Sequence, residues 1–192
     1  MRAPPKRNER RRALRILAAC AAAATGLAGW FRWRGRGVAG AAGDAAPAAT
    51  VPPVERLELP LSRWREILPP QAFAVLFEEA TERPYSSPLN AEKRAGTYLC
   101  AACFLPLFSS AAKFDSGTGW PSFFEALPGR IGTKRDFKLL LPRTEYHCAR
   151  CGGHQGHVFD DGPPPTGLRY CNNGVALHFV PEGAALPALR AP

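Results

Sequence analysis

The 192-residue sequence predicts a mainly β domain, preceded by two short helices and clamped by a metal between two cysteine pairs. Three observations point there. Beyond Gly96 the apolar residues fall in short runs broken by Gly, Pro, Asp and Ser, with no sustained helical period. Between Leu57 and Pro84 the pattern is helical instead. Five cysteines fall in one 72-residue stretch, four of them as Cys100-x-x-Cys103 and Cys148-x-x-Cys151, with Cys171 alone.

Taken in order, residues 1–36 read as a targeting or anchor segment and 37–54 as an Ala/Gly/Pro linker without periodicity. The domain follows over 55–185, with a short tail at 186–192. Ser62 is placed to cap a helix running through Leu68. Pro69 and Pro70 then open a second helix that carries Phe73, Leu76 and Phe77 on one face. Residues 85–90 read as a loop. Strands are expected at 98–99, 137–141, 145–147, 157–159 and 175–180, with the reactive residues on the loops between them. No internal repeat is visible beyond the two CxxC units.

Charge excludes one function class. The net charge of +9 suggests a nucleic-acid binder, but residues 1–50 hold ten of the Lys and Arg against two acids, Glu9 and Asp44. The remainder, with fifteen against fourteen, has no excess with which to follow a phosphate backbone. The basic excess belongs to the leader. There, Lys6, Arg7, Arg10, Arg11 and Arg12 precede an uncharged, Ala-rich stretch from Ile16 to Phe31. That stretch is short for a membrane span, and Arg11-Arg12-Ala13-Leu14 resembles a twin-arginine export signal. The expectation is export to the periplasm, or an uncleaved anchor with the domain outside. Arg32, Arg34 and Arg36 keep an organelle transit peptide as the alternative. Cys20 reads as a leader residue rather than a lipid attachment site.

The two CxxC pairs can supply four thiolates to one tetrahedral Zn²⁺, a closed structural site. With 44 residues between Cys103 and Cys148, the ion would join two distant turns. Gly152 and Gly153 offer the second turn its positive φ, whereas the first has Phe104 there. Two disulfides are the competing reading, which an exported chain would also permit, and the spacing favours zinc.

Cys171 is then left as a thiol with no partner in its own domain. Arg169 lies two residues before it. His154 and His157 stand three apart between glycines, free for acid–base work. Trp120 sits in a small-residue loop, in the run DSGTGWPSF at 115–123. A guanidinium or imidazolium beside the thiol would lower its pKa and activate it as a nucleophile.

Several runs carry a resemblance: GTYLCAAC (96–103), PLFSS (106–110), KFDSGTGWPSF (113–123), RTEYHCARCGGHQGHVFDDGP (143–163) and PTGLRYCNN (165–173). In this order they resemble the methionine-R-sulfoxide reductases of the B type. TERPY at 81–85 extends the likeness to about two-thirds of the chain. The resemblance implies two antiparallel sheets with the Cys₄ zinc knuckle at one end. It implies reduction of the R epimer of methionine sulfoxide in peptides and proteins, in the service of repair under oxidative stress. Cys171 would attack the sulfoxide sulfur, and His154 and His157 would bind and protonate the departing oxygen. Trp120 would wall the pocket for the ε-methyl group, with Arg169 and Asn173 holding the site. Cys171 would become a sulfenic acid, restored by an external reductant.

Where many relatives of that type carry a second, recycling cysteine, this chain has Thr118. The expectation is therefore a one-cysteine form reduced directly by a thioredoxin-like protein or a small thiol. Asn172-Asn173-Gly174-Val175 and the apolar Leu139-Leu140-Leu141-Pro142 also depart from the usual pattern without removing a catalytic group. The main rival reading is a non-catalytic zinc-knuckle binding module, which would have no need of Cys171 beside Arg169 or of the histidine pair. A zinc hydrolase is disfavoured because no Glu stands as in H-E-x-x-H. A Cys-His hydrolase lacks an evident orienting Asn or Asp, since Asp160 and Asp161 read as turn caps.

Overall fold

The computed structural model describes residues 53–137 and 142–191. The leader, the linker up to residue 52 and the apolar residues 138–141 lie outside the described residues. Among the described residues, no helix is long and apolar enough to cross a membrane.

Two helices come first. Helix α1 (Leu61–Ile67) is entered from Pro60, whose φ of −58° and ψ of 146° set the extended approach, and no side chain caps it. Ser62, expected as the cap, instead lies inside the first turn, because the proline already fixes the entry. Trp64 is the buried residue of this helix, while Arg63 and Glu66 pair on its outer face at 2.8 Å. Helix α2 (Pro70–Glu78) starts as expected, with Pro69 at the cap and Pro70 at the first helical position. It buries Ala72, Phe73, Val75 and Leu76, and Phe77 stacks on Trp64 with ring centroids 5.0 Å apart. The helix stops at Glu79, in the left-handed region at φ 54°.

Nine strands follow among the described residues: β1 (Gly96–Cys100), β2 (Pro106–Ser109), β3 (Lys113–Phe114), β4 (Ser122–Phe123), β5 (Ile131–Asp136), β6 (Arg143–Cys148), β7 (His154–Phe159), β8 (Arg169–Asn172) and β9 (Leu177–Pro181). They form two antiparallel sheets, one ordered β2-β1-β9 and the other β3-β4-β8-β7-β6-β5. The expected fold class stands: mainly β, two antiparallel sheets, two short helices and four cysteines gathered as if round a metal ion.

An aromatic core joins the sheets. Phe108 of β2 stacks on Phe123 of β4 at 4.3 Å, Tyr98 of β1 meets the edge of Phe123, and Tyr146 of β6 closes the cluster. All four are fully buried. Strands this short could not persist alone, so this shared packing is what makes them strands.

The observed strands differ from those expected. The strand expected over 137–141 lies, but for Phe137, outside the described residues, and the polar segment Ile131–Asp136 before it forms a strand that was not expected. Strand β5 is the sheet's outer edge, where Lys134 and Arg135 face solvent, so it shows no apolar alternation. Within 175–180, Val175 and Ala176 belong to a 3₁₀ turn (Gly174–Ala176) and β9 begins at Leu177. Strands β2, β3, β4 and β8 were not expected at all, and with β8 the reactive residues are carried mainly by strands rather than loops.

Candidate functional site

The cysteine pairs form two turns of matching construction. Phe104 N–H donates to Cys100 O and Gly152 N–H to Cys148 O, each at 2.9 Å. Cys100 N–H donates to Leu105 O at 2.9 Å and Cys148 N–H to Gly153 O at 3.0 Å. Both turns pass through the left-handed region, at φ 74° for Gly152 and φ 61° for Phe104. Gly153, expected to share that role, does not. A phenylalanine there is disfavoured by about 1–2 kcal/mol. It is held by the Arg190 guanidinium, 4.9 Å over its ring, and by that arginine's bonds to the carbonyls of Ala102 (2.6 Å) and Cys103 (3.2 Å).

All four sulfurs lie within 4.8 Å of one another, with Cys100–Cys151 at 3.6 Å and Cys103–Cys148 at 3.5 Å. Thiolates about 2.3 Å from one tetrahedral ion stand roughly 3.8 Å apart, whereas a disulfide needs about 2.05 Å. The arrangement fits one metal ion and not two disulfides. Hydrogen bonds from the other three sulfurs draw the Cys103 thiol down, while burial pushes Cys100 well up. Four thiols are packed this closely to advantage only where a cation replaces their protons.

Gln155, fully buried on β7, reaches from this cluster toward Cys171. Its Nε2 donates to Cys100 Sγ at 3.5 Å and its Oε1 accepts from Asn172 Nδ2 at 3.4 Å. Its main-chain carbonyl accepts from both the backbone and the side-chain nitrogen of Asn173, at 2.8 and 3.0 Å. The residues flanking the free thiol are thereby tied to the metal clamp.

Cys171 lies on β8, directly opposite His157 on β7 and Ser122 on β4. Opposed residues of antiparallel strands project from the same face, so thiol and imidazole face one space. Gly156 permits the close approach of these strands, since a Cβ there would fall 1.9 Å from Cys171 O. The space is a pocket of about 120 Å³ lined by Trp120, His157, Phe159, Cys171, Asn173, Thr81, Arg143 and Gly156.

Each wall is fixed from behind. His157 Nε2 lies 2.7 Å from Asp136 Oδ2, and Arg143 donates to the same oxygen at 2.6 Å. His154 is buried beside it, the rings 5.5 Å apart and edge-to-face, with Nδ1 3.1 Å from Glu145 Oε1. That contact has the distance of an ion pair but not the angle of a hydrogen bond. Trp120 Nε1 donates to Glu82 O at 3.0 Å. Arg169 grips Asp161 through two bonds of 2.7 and 2.8 Å and lies 4.3 Å over the ring of Phe159. Asp161 is thus an arginine partner rather than the turn cap expected of it.

Of the expected site residues, Cys171, His157, Trp120 and Asn173 line the pocket, while His154 and Arg169 stand behind its walls. Asp136, Arg143, Glu145 and Phe159 were not singled out from the sequence. Asp136 and Glu145 would have been found by asking which acids a strand pairing places beside His157 and His154. Strand β5 shows no apolar alternation in the sequence, and without it that route was closed.

The electrostatics differ from expectation. Burial pushes the Cys171 thiol up, and the Thr118 hydroxyl 3.9 Å away and the Arg169 charge only partly offset it. Burial likewise pulls His157 down despite Asp136, with Arg143 and His154 adding to the fall. The resting pair is therefore thiol and neutral imidazole, not thiolate and imidazolium. Alkylation of Cys171 by iodoacetamide should rise with pH through a midpoint above the exposed-thiol value of about 8.5. Thr118→Val should move that midpoint further up by removing a stabilising hydrogen bond to the thiolate. A midpoint below 8 in the unmodified chain would contradict the assignment.

The site defines a class first: a pocket that sets a free cysteine opposite an acid-anchored histidine, on a β scaffold whose four other cysteines are placed to hold a metal ion. The SelR domain model matches residues 68–181. The chain is 49% identical over 133 residues to the Peptide methionine sulfoxide reductase MsrB of Pseudomonas putida (strain W619), covering 69% of this chain and 100% of that one. It is 54% identical over 119 residues to the MsrB of Agrobacterium fabrum (strain C58), covering 62% and 88%. Among solved structures the Mis18 'Yippee-like' domain is similar at 20% identity and a TM-score of 0.37, over 47% of this chain and 100% of that one. That likeness carries no functional weight. The chain belongs to the B-type methionine sulfoxide reductase family, a family of oxidoreductases.

Proposed function

We infer that this chain reduces the R epimer of methionine sulfoxide in peptides and proteins, with Cys171 as nucleophile. The observation that carries the reading is the register pairing of Cys171 with His157, itself anchored by Asp136, beneath the Trp120 wall. The substrate's methyl group rests on the indole. Sγ attacks the sulfoxide sulfur, a sulfur–sulfur bond forms, and the S=O electron pair moves to oxygen. The oxygen takes a proton delivered through His157, with His154 and Glu145 supporting that ring. Oxygen ends on Cys171 as a sulfenic acid, the sulfur–sulfur bond breaks, and methionine leaves reduced by two electrons. The resting thiol supplies the one proton required, so a raised Cys171 and a lowered His157 suit the stoichiometry.

The clamp ion is zinc on this reading, since a closed tetrahedral set of four thiolates is its usual structural environment. Cys100, Cys103, Cys148 and Cys151 would hold it, and it would supply folding energy rather than chemistry. An external thiol donor, a thioredoxin-like protein or a small thiol, restores Cys171 with loss of water. Two donor thiols become one disulfide in that step. The basic leader directs the domain out of the cytoplasm, by export or as an anchor, and is the only part given a membrane role.

The test is turnover of peptides carrying R- or S-methionine sulfoxide by the zinc-loaded full chain with dithiothreitol. Selective consumption of the R epimer is expected, and no turnover of either would overturn the reading. Asp136→Asn should lower kcat by about 10²-fold, the scale of a general acid–base contribution. Thr118→Cys should change the products of a single turnover without reductant, since Thr118 already lies 3.9 Å from Sγ. Titration with a thiol reagent should then show two thiols consumed rather than one.

A further inference from the structure

The motif at 81–85 enters the pocket only through Thr81, yet the residue beside it, Glu82, is buried and bonds through its N–H, its carbonyl and its carboxylate. We propose that Glu82 is a positioning residue for the reductase reading above, holding the substrate wall and the asparagine beside the nucleophile in one register. Three parts of it act together. Its carbonyl accepts from Trp120 Nε1 at 3.0 Å, which orients the indole. Its N–H donates to Asn173 Oδ1 at 2.9 Å, and Asn173 lines the pocket two residues from Cys171. Its carboxylate Oε2 accepts from Gly174 N–H at 2.6 Å and Val175 N–H at 3.3 Å.

The last pair explains why a glutamate is needed. Asn173 precedes the 3₁₀ turn Gly174–Ala176 but contributes no side-chain cap to it. Its side chain is spent on Glu82 and Gln155 instead. The turn's orphan N–H groups are capped by Glu82, from 92 residues earlier in the chain. Glu82 is 3% exposed, and its loss would take the acceptor from the buried Gly174 N–H and the partly buried Val175 N–H. The carboxylate thus fixes its own main chain against the β8–β9 connection, and that main chain aims Trp120. The N-terminal segment thereby sets the width of a pocket whose chemistry lies on β7 and β8.

The experiment compares Glu82→Ala, Glu82→Gln and Trp120→Phe in the zinc-loaded full chain, with Glu82→Asp as the milder variant should the alanine form not fold. Glu82→Ala should raise KM for an R-sulfoxide peptide about tenfold, with kcat changed less than threefold. The alkylation rate of Cys171 and the metal content should stay as in the unmodified chain. Glu82→Gln keeps an oxygen acceptor for both N–H groups and should restore KM to within about twofold. Trp120→Phe removes the indole N–H, so adding Glu82→Ala to it should raise KM no further. Trp120 emission, taken as the difference from the matching Trp120→Phe chain, should shift to longer wavelength in Glu82→Ala and not in Glu82→Gln. An unchanged KM, a fully additive double variant, or a Gln form as impaired as the Ala form would overturn the proposal. Absence of turnover in the unmodified chain would instead sink the reductase reading, and the Trp120 emission would still test the positioning.

Discussion

Cys171→Ser is expected to abolish sulfoxide reduction, with a loss of at least about 10⁴-fold, the scale seen when a nucleophile is removed from a preorganised site. A serine hydroxyl is a poor nucleophile at neutral pH and cannot carry the oxygen away as a sulfenic acid. The rest of the molecule should hardly notice. Cys171 is only partly buried, and its hydrogen-bond contact with Thr118 suits a hydroxyl equally well. The melting temperature should therefore move by a few degrees at most, an effect of roughly 1 kcal/mol or less. Turnover, metal content and melting temperature measured on one preparation separate the chemical loss from a folding loss. Retained R-selective turnover in the serine form would assign the nucleophile elsewhere.

The second large effect concerns the clamp. Stripping the metal, or replacing Cys148 by Ser, should unfold the domain rather than weaken it. A structural zinc site contributes on the order of 10–16 kcal/mol of apparent binding energy in small peptides. A whole domain is stable by only about 5–15 kcal/mol. The clamp also lies inside the main core, where Cys100, Cys103 and Cys148 pack with Leu76, Tyr98 and Phe108. One equivalent of metal per chain should be released by a thiol-blocking reagent, in step with loss of the near-ultraviolet circular dichroism of the aromatic core. Readdition of zinc to the reduced chain should restore both. A metal-free chain that keeps its aromatic signal would show that the four cysteines are not what closes the fold.

The chemistry-bearing residues were legible in the sequence because each is of a distinctive type in a distinctive spacing. Two CxxC pairs, a lone cysteine after an arginine, and two histidines among glycines do not need a fold to be noticed. What positions them was not legible. Asp136, Glu145 and Glu82 look like ordinary surface acids until strand pairing and long-range capping bring them beneath His157, His154 and Gly174. Asp136 was hidden for a particular reason. It ends the edge strand β5, whose exposed residues show no apolar alternation to mark them as a strand. Strand β8 was missed for a different reason. Its four residues, Arg169 to Asn172, have no alternation of their own, being fixed by β7 on one side and β4 on the other. The direction of the Cys171 shift was also out of reach, because a nearby arginine is visible in a sequence and burial is not.

Arg190 has a consequence for how long the ion stays once bound. Its guanidinium covers Phe104 and its hydrogen bonds hold the carbonyls of Ala102 and Cys103, so the first cysteine turn is strapped down by residues beyond the last strand. The second turn has a glycine at the matching position and needs no strap. The two halves of the clamp should then open at unequal rates, the one through Cys100 and Cys103 yielding first when Arg190 is removed. Exchange of the ion with a chelator would be governed by a tail that touches neither a sulfur nor the pocket, and a fusion joined close behind Arg190 would shorten the ion's residence time while leaving a freshly loaded enzyme fully active.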